Sequence, residues 1–263
     1  MNFTIKNTSA NYYDDLYVGL WNNTVVRNVN VTPPGSGGAN FYNKGGNGYL
    51  DSLNLNYCYD AAGDPGFTDN YIGQKFLGAE DKEGFHSPRI DSNYNQLTGQ
   101  WELDNFKSNY QGWVFNDFTA QFAAPSNEGQ RYDKMREGLN HSPCWENPND
   151  PSCPGNLDYQ ALLNQPGNRS DLISAGPFSR FEPGEEIVVT YAYVLAKKNE
   201  DGQPTSANTK AQRKNLVSNA GFSQETYNGE DVNFNGILDP GEDLDGDGKI
   251  TRFILPTPPA TPV

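Results

Sequence analysis

Residues 185–196 read Glu185-Glu-Ile-Val-Val-Thr-Tyr-Ala-Tyr-Val-Leu-Ala196, just after the turn-forming Phe181-Glu-Pro-Gly184. β-branched and aromatic residues dominate the run, which marks a strand. Ile187, Val189, Tyr191 and Tyr193 share one face, and Val188, Thr190, Ala192 and Val194 the other. Both faces are largely apolar, so this strand is expected to be covered on both sides, at the centre of packed sheets. Shorter runs of the same character predict further strands at 2–7, 16–21, 24–31, 49–59, 71–77, 99–106 and 112–118. Turn-forming clusters such as Thr32-Pro-Pro-Gly-Ser-Gly-Gly38 and Gly45-Gly-Asn-Gly48 separate them. The expectation is an all-β fold, an antiparallel β-sandwich of jelly-roll type with one or two short helices and a C-terminal calcium-loop segment.

Helical signals are few. Residues 127–139 suit a short surface helix, and 157–164 offer two turns. The strongest candidate is 206–220, with Ser206 as N-cap and Gly221 at the C′ position. Residues 119–170 form a long polar insertion, the kind of segment that often carries a binding surface. The expected organisation is a sandwich domain over 1–204, a helix with tandem loops over 205–254, and a Pro-rich linker over 255–263.

Of the 263 residues, 19 are Lys or Arg and 33 are Asp or Glu, a net charge of −14. That balance disfavours nucleic acid and anionic membrane as partners. No run of apolar residues is long enough to cross a membrane as a helix. Aromatic residues make up 13% of the chain, too many for a disordered one. Cys144 and Cys153 bracket the turn-prone loop Cys-Trp-Glu-Asn-Pro-Asn-Asp-Pro-Ser-Cys and are expected to pair, which suits an oxidising, extracellular or cell-surface location. Cys58 lies in an apolar run and is expected to be a buried free thiol. No basic and apolar leader precedes the first strand. With the Pro-rich end, this reads as a piece of a longer polypeptide.

The most specific motif is Asp231-Val-Asn-Phe-Asn-Gly-Ile-Leu-Asp-Pro-Gly-Glu242. Oxygen-bearing side chains fall at loop positions 1, 3, 5, 9 and 12: Asp231, Asn233, Asn235, Asp239 and Glu242. Gly236 occupies position 6, where the loop must turn sharply, and Ile237 at position 7 offers its carbonyl. This spacing is that of a Ca²⁺ loop, with Glu242 placed to bind through both oxygens. The pattern restarts after twelve residues. Asp243, Asp245 and Asp247 repeat positions 1, 3 and 5, Gly248 repeats position 6, and the Lys249 carbonyl repeats position 7. The second copy has Ile254 where the first has Glu242, so its final ligand is missing. Eight acids and no Lys or Arg lie between residues 225 and 248, a cluster whose self-repulsion bound cations would relieve. One or two Ca²⁺ ions are expected.

The tandem arrangement resembles thrombospondin type 3 repeats and the calcium loops of dockerins, over about 25 residues. Pro240-Gly241 and the immediate restart at Asp243 leave no room for an exiting helix, unlike a paired EF-hand domain. Asn7-Thr-Ser-Ala, Leu16-Tyr-Val-Gly-Leu-Trp, Tyr71-Ile-Gly-Gln-Lys-Phe-Leu-Gly and Ser174-Ala-Gly-Pro-Phe resemble segments of large secreted multidomain proteins of Bacteroidota-like bacteria, often exported by the type IX route. That resemblance implies an extracellular β-sandwich followed by linkers and further modules, and transfers no catalytic residue.

Weaker constellations remain. Asp60-Ala-Ala-Gly-Asp64 through Asp69 fits no standard calcium template and reads as an Asp-stabilised turn. His86 and His141 are isolated and read as surface or hydrogen-bonded residues. Glu102, Asp104 and Asp117, near Trp101 and Trp113, would suit a glycosidase acid pair only if they flank a sugar cleft. The favoured expectation is a non-catalytic, calcium-stabilised structural or adhesion module whose partners are neighbouring domains of the same polypeptide. A carbohydrate-binding module using surface aromatics and a glycoside hydrolase are the alternatives, with a glycan or surface protein as the outside partner.

Overall fold

A computed structural model describes residues 1–33, 35, 37, 39–64, 68–87, 92–115 and 122–255. In chain order its strands and helices begin with β1 (Asn2–Lys6), β2 (Tyr13–Asn22), β3 (Gly45–Leu50), β4 (Leu55–Asp60), β5 (Asn70–Asp81), β6 (Gly84–His86), β7 (Ser92–Asn95), β8 (Gln100–Leu103) and β9 (Lys107–Val114). There follow α1 (Glu128–Arg136), α2 (Pro143–Glu146), α3 (Tyr159–Leu163), β10 (Arg169–Phe181), β11 (Glu186–Lys197) and α4 (Lys214–Asn228). Strand residues outnumber helical ones about two to one, and every strand pairing among the described residues is antiparallel, so the fold is all-β. The larger sheet runs β1-β11-β5-β4-β3, with β6 on the end of β5; the smaller is β2-β10-β9, and β7-β8 form a separate hairpin. No described helix is long and apolar enough to cross a membrane.

The 186–197 strand buries Ile187, Val189, Thr190 and Tyr191 and then Val194 and Ala196, but not both faces throughout as its composition predicts: Tyr193 and Leu195 are 44% and 65% exposed. Ile187, Val189 and Tyr191 join Phe76 and Ala79 in a core that also takes Tyr110, Ile173, Ala175 and Phe178 from the smaller sheet. A register shift between Thr190 and Tyr191 bends the strand. Beyond it, Val194 and Ala196 pack with Leu55, Tyr57 and Tyr71 against Leu216 and Ala220 of α4. A third cluster, Leu77, Phe85, Tyr227 and Phe234, fastens the segment after α4 to the same sheet.

Several expectations change. Residues 24–31 form no strand. The segment is held by side chains instead: Arg27 is paired with Asp60 and Asp64, and the Thr24 hydroxyl accepts from Gln74. The 49–59 run is a hairpin corner: a 3-10 turn at Asp51–Leu53 and a left-handed Asn54 (φ 47°) divide β3 from β4. The 99–106 strand shrinks to Gln100–Leu103. The 112–118 strand shifts to Lys107–Val114, and 116–118 lie outside the described residues. Strand β10, thirteen residues long and central to the smaller sheet, goes unanticipated because Ser170, Ser174 and Gly176-Pro177 interrupt its apolar alternation, with a register shift between Ala175 and Phe178.

The 206–220 helix starts at Lys214 and runs to Asn228. Asp201, Thr209 and Gln212 tie the preceding residues into side-chain-bonded turns, and Gly221 is absorbed mid-helix. Among the described residues there are four α-helices rather than one or two, because the insertion forms α1, α2 and α3. It caps the core through Trp145, which meets the stacked rings of Tyr49 and Tyr110 edge-on. Asn127 caps α1 by accepting from Gln130 N–H. Cys144 and Cys153 form the expected disulfide (Cα–Cα 5.5 Å), and Cys58 is a buried free thiol.

Candidate metal centre

Helix α4 ends at Gly229, whose φ of 59° and whose closeness to Thr251 exclude a side chain: a Cβ there would sit 2.0 Å from the Thr251 carbonyl oxygen. The chain then enters two loops, 231–242 and 243–254, with one backbone design. Position 4 is left-handed in both (Phe234 φ 61°, Gly246 φ 78°), and so is position 6 (Gly236 φ 77°, Gly248 φ 75°). Gly236 is required for a second reason, since a Cβ would lie 2.6 Å from that of Phe85. Phe234 uses its turn to insert against Phe85 and Tyr227, with ring centroids 4.8 and 6.3 Å away.

Most of the hydrogen bonds repeat with the same twelve-residue offset. Position 1 accepts from position 6 N–H in both loops (Asp231 from Gly236 at 3.0 Å, Asp243 from Gly248 at 3.1 Å); its second donor differs, position 5 in the first loop (Asn235, 2.8 Å) and position 4 in the second (Gly246, 2.7 Å). Position 3 accepts from position 5 (Asn233 from Asn235, Asp245 from Asp247), both at 3.1 Å. Position 5 accepts from position 7 (Asn235 from Ile237, Asp247 from Lys249), both at 2.8 Å. These bonds turn the position 1, 3 and 5 side chains inward while leaving each oxygen a further lone pair.

Two glutamates complete the loops in the same way. Glu242 accepts from Val232 and Asp239 N–H of its own loop, both at 2.9 Å. Glu230, which precedes the first loop, accepts from Leu244 and Thr251 N–H at 2.7 and 2.8 Å. Leu244 and Thr251 hold positions 2 and 9 of the second loop, as Val232 and Asp239 do in the first. Glu230 therefore takes the place that Ile254 leaves without a carboxylate. Oxygens of Glu230, Asp243 and Asp245 lie within 4.8 Å of one another.

In the first loop the convergence is closed by protein donors. The Asn233 and Asn235 amides both donate to Asp239, at 2.7 and 2.9 Å. Arg252 reaches from the second loop to Asp231 at 3.2 Å and to Glu80 at 2.9 Å. Burial raises the Asp231 pKa despite Arg252 and the loop N–H groups, whereas the N–H groups of Thr251 and Leu244 lower that of Glu230. The donor set is entirely oxygen, with carboxylates and carboxamides, which suits a hard divalent cation of the calcium type.

Glu230, Arg252 and Glu80 are not evident from the twelve-residue template. A signal for Glu230 was nonetheless present: Glu-Asp opens each loop, at 230–231 and again at 242–243.

The other constellations resolve differently. Asp60 and Asp64 bind Arg27 at 2.7 and 2.8 Å, Asp64 also binds Lys44, and Asp60 accepts from Ala62 N–H, so these carboxylates serve a turn and its cations. Residues 65–67 of that stretch lie outside the described residues. Glu102 is held by Asn95 and Thr98 within the β7–β8 hairpin, while Asp104 holds His86, Asn93 and Phe106 N–H. Asp117 lies outside the described residues. His86 bridges Asp81 and Asp104 at 2.9 and 2.8 Å; burial disfavours its charge, but the two carboxylates prevail and raise its pKa to about 9. His141 is exposed beside Asn140, and partial desolvation lowers its pKa.

No family model matches the chain, and no curated protein or solved structure matches it.

Proposed function

We propose that this chain is a non-catalytic, calcium-stabilised extracellular module, structural or adhesive, within a larger secreted or cell-surface polypeptide. In this reading the two sheets form an antiparallel sandwich of jelly-roll type, and the tandem loops bind one Ca²⁺ ion each. Asp231, Asn233, Asn235, the Ile237 carbonyl, Asp239 and Glu242 hold the first ion. Asp243, Asp245, Asp247, the Lys249 carbonyl and Glu230 hold the second.

The observation that carries the reading is a glutamate clamped on the N–H groups of positions 2 and 9 in each of two loops with the same backbone, Glu242 in the first and Glu230 in the second. An acidic solvent-exposed tail has no reason to reproduce two left-handed residues, two Asx turns, a position 6 to position 1 bond and a carboxylate clamp at a twelve-residue offset. Oxygens held in this geometry at net negative charge gain most when a cation joins them. The Phe234 anchor and the Arg252–Glu80 pair carry that ordering into the larger sheet. The disulfide and the calcium loops together favour an oxidising, calcium-rich compartment.

The test is thermal unfolding in calcium and in chelator. Each filled site adds RT ln(1 + [L]/Kd), about 2.7 kcal/mol when free calcium exceeds Kd a hundredfold. A melting temperature identical in calcium and in chelator overturns the reading.

A further inference from the structure

Strand β2 places Tyr17, Gly19 and Trp21 at the two-residue period of one face, the face of the smaller sheet turned away from the larger one. Helix α1 packs beside the first two: Tyr132 meets Tyr17 edge-on at 5.7 Å, and Met135 lies next to Gly19, which stays exposed and lines the neighbouring groove. Trp21 is left 58% exposed. Between it and the helix runs a groove of about 710 Å³, with Trp113 and Phe115 in its wall and Glu128, Arg131 and Lys134 along its rim. That volume lies within the range of small-ligand pockets, about 300–1,000 Å³.

The polar groups of the rim narrow the chemistry. Lys134 Nζ stands 5.3 Å from the Trp113 ring centroid, is half-buried, and has no carboxylate partner among the described residues. Its desolvation lowers its pKa, the mark of a cation short of a counter-ion. Glu128 and Arg131 pair at 2.7 Å and remain exposed, presenting acceptor and donor side by side. An exposed indole face suits the C–H face of a pyranose ring, and a carboxylate–guanidinium pair suits neighbouring hydroxyls. A purely apolar ligand would desolvate Lys134 further with no return.

We propose that this groove binds an acidic saccharide, with a sugar ring on Trp21 and its anionic group, a uronate carboxylate or a sulfate ester, against Lys134. The site stands on its own observations and does not depend on the calcium loops.

The test is titration calorimetry of the intact chain with three probes: oligogalacturonate for uronates, carrageenan oligosaccharide for sulfate esters, and xylo-oligosaccharide as the neutral control. Each titration is done in calcium and in chelator, because uronates bind calcium themselves. One anionic class is expected to bind in both conditions, more weakly as salt rises. Trp21→Ala is expected to weaken binding about tenfold, the usual scale for loss of one stacked ring. Lys134→Gln should weaken it about fivefold and flatten its salt dependence. Both side chains are at least partly exposed, so unchanged melting temperatures serve as the folding control, and either variant alone suffices. Heat from neither anionic probe, equal binding of the neutral one, or affinity unaffected by both substitutions overturns the proposal.

Discussion

Asp171 sits on β10 between the sheets, 1% exposed, and is met by donors alone: Tyr110 Oη at 2.7 Å and Asn47 Nδ2 at 2.5 Å. Desolvation outweighs these bonds and the more distant Arg169 charge, lifting the carboxyl pKa from 3.8 to about 7. In the unfolded chain the value returns to about 3.9. Below about pH 4 both states are protonated and Asp171 contributes no pH dependence. Between about pH 4 and 7 the unfolded chain releases the proton while the folded chain keeps it, so rising pH favours unfolding. A shift of this size corresponds to about 4 kcal/mol of stability, present in mild acid and lost by about pH 8. Asp171→Asn keeps the shape and cannot titrate. Urea unfolding of both proteins at about pH 4.5, 6 and 7.5, in saturating calcium, isolates the effect as the pH dependence of their difference. Turning an Asn amide toward Asn47 adds an offset that does not vary with pH. The wild type should lose about 3 kcal/mol relative to the variant across that range. Parallel stability curves would refute the assignment of a desolvated, unpaired carboxyl at this position.

Glu230→Gln should remove one calcium from the calorimetric stoichiometry by emptying the second loop, and Glu242→Gln should do so for the first; a binding isotherm unaltered by Glu230→Gln contradicts the assignment of Glu230 to the second loop. His86, raised to about 9 between Asp81 and Asp104, contributes stability that is fully present below about pH 6.5 and lost as pH rises through about 9. His86→Gln should remove that alkaline decline, worth at most about 3 kcal/mol, in the same urea series. Leu216→Ala, at a wholly buried position of α4, should cost about 2–5 kcal/mol by denaturant midpoint, whereas Val217→Ala, 41% exposed, should stay within about 0.5 kcal/mol. Replacing Cys144 and Cys153 by Ser should lower stability by about 2–3 kcal/mol, the scale expected for a ring this short.

What the sequence discloses about the fold follows the kind of force that forms each element. Strand β11 is legible because its buried face changes sides along its length, which demands a near-continuous apolar run, and the run is there to read. Strand β10 is no less buried, yet its inward positions include Asp171, which the core satisfies with Tyr110 and Asn47 rather than with apolar contact. A polar residue matched across two sheets leaves no local trace. The same holds for residues 24–31. Their β-branched residues suggest a ladder, but the position of the segment is set by Arg27 reaching Asp60, 33 residues away. The helix boundary fails for a related reason: Thr209 and Gln212 compete with helical hydrogen bonding through their own side chains, and the helix starts only where that competition ends.

At the candidate metal centre, spacing sufficed for what is local and failed for what is not. Positions 1, 3, 5 and 6 of each loop act within seven residues, so the template finds them. The twelfth position is different, because the group it supplies is a carboxylate clamped on the N–H groups of positions 2 and 9, and any carboxylate able to reach those two groups will serve. In the second loop the one that reaches is Glu230, thirteen residues upstream of Asp243, brought there by the turn at Gly229 and by the Glu230 N–H donating to the Thr251 carbonyl. The dependence runs one way: Glu242 closes the first loop from within it, whereas the second is closed from before the first begins. Removing Glu230 should therefore empty the second loop while leaving every 231–251 template residue in place, which a pair of self-contained calcium loops in series would not show.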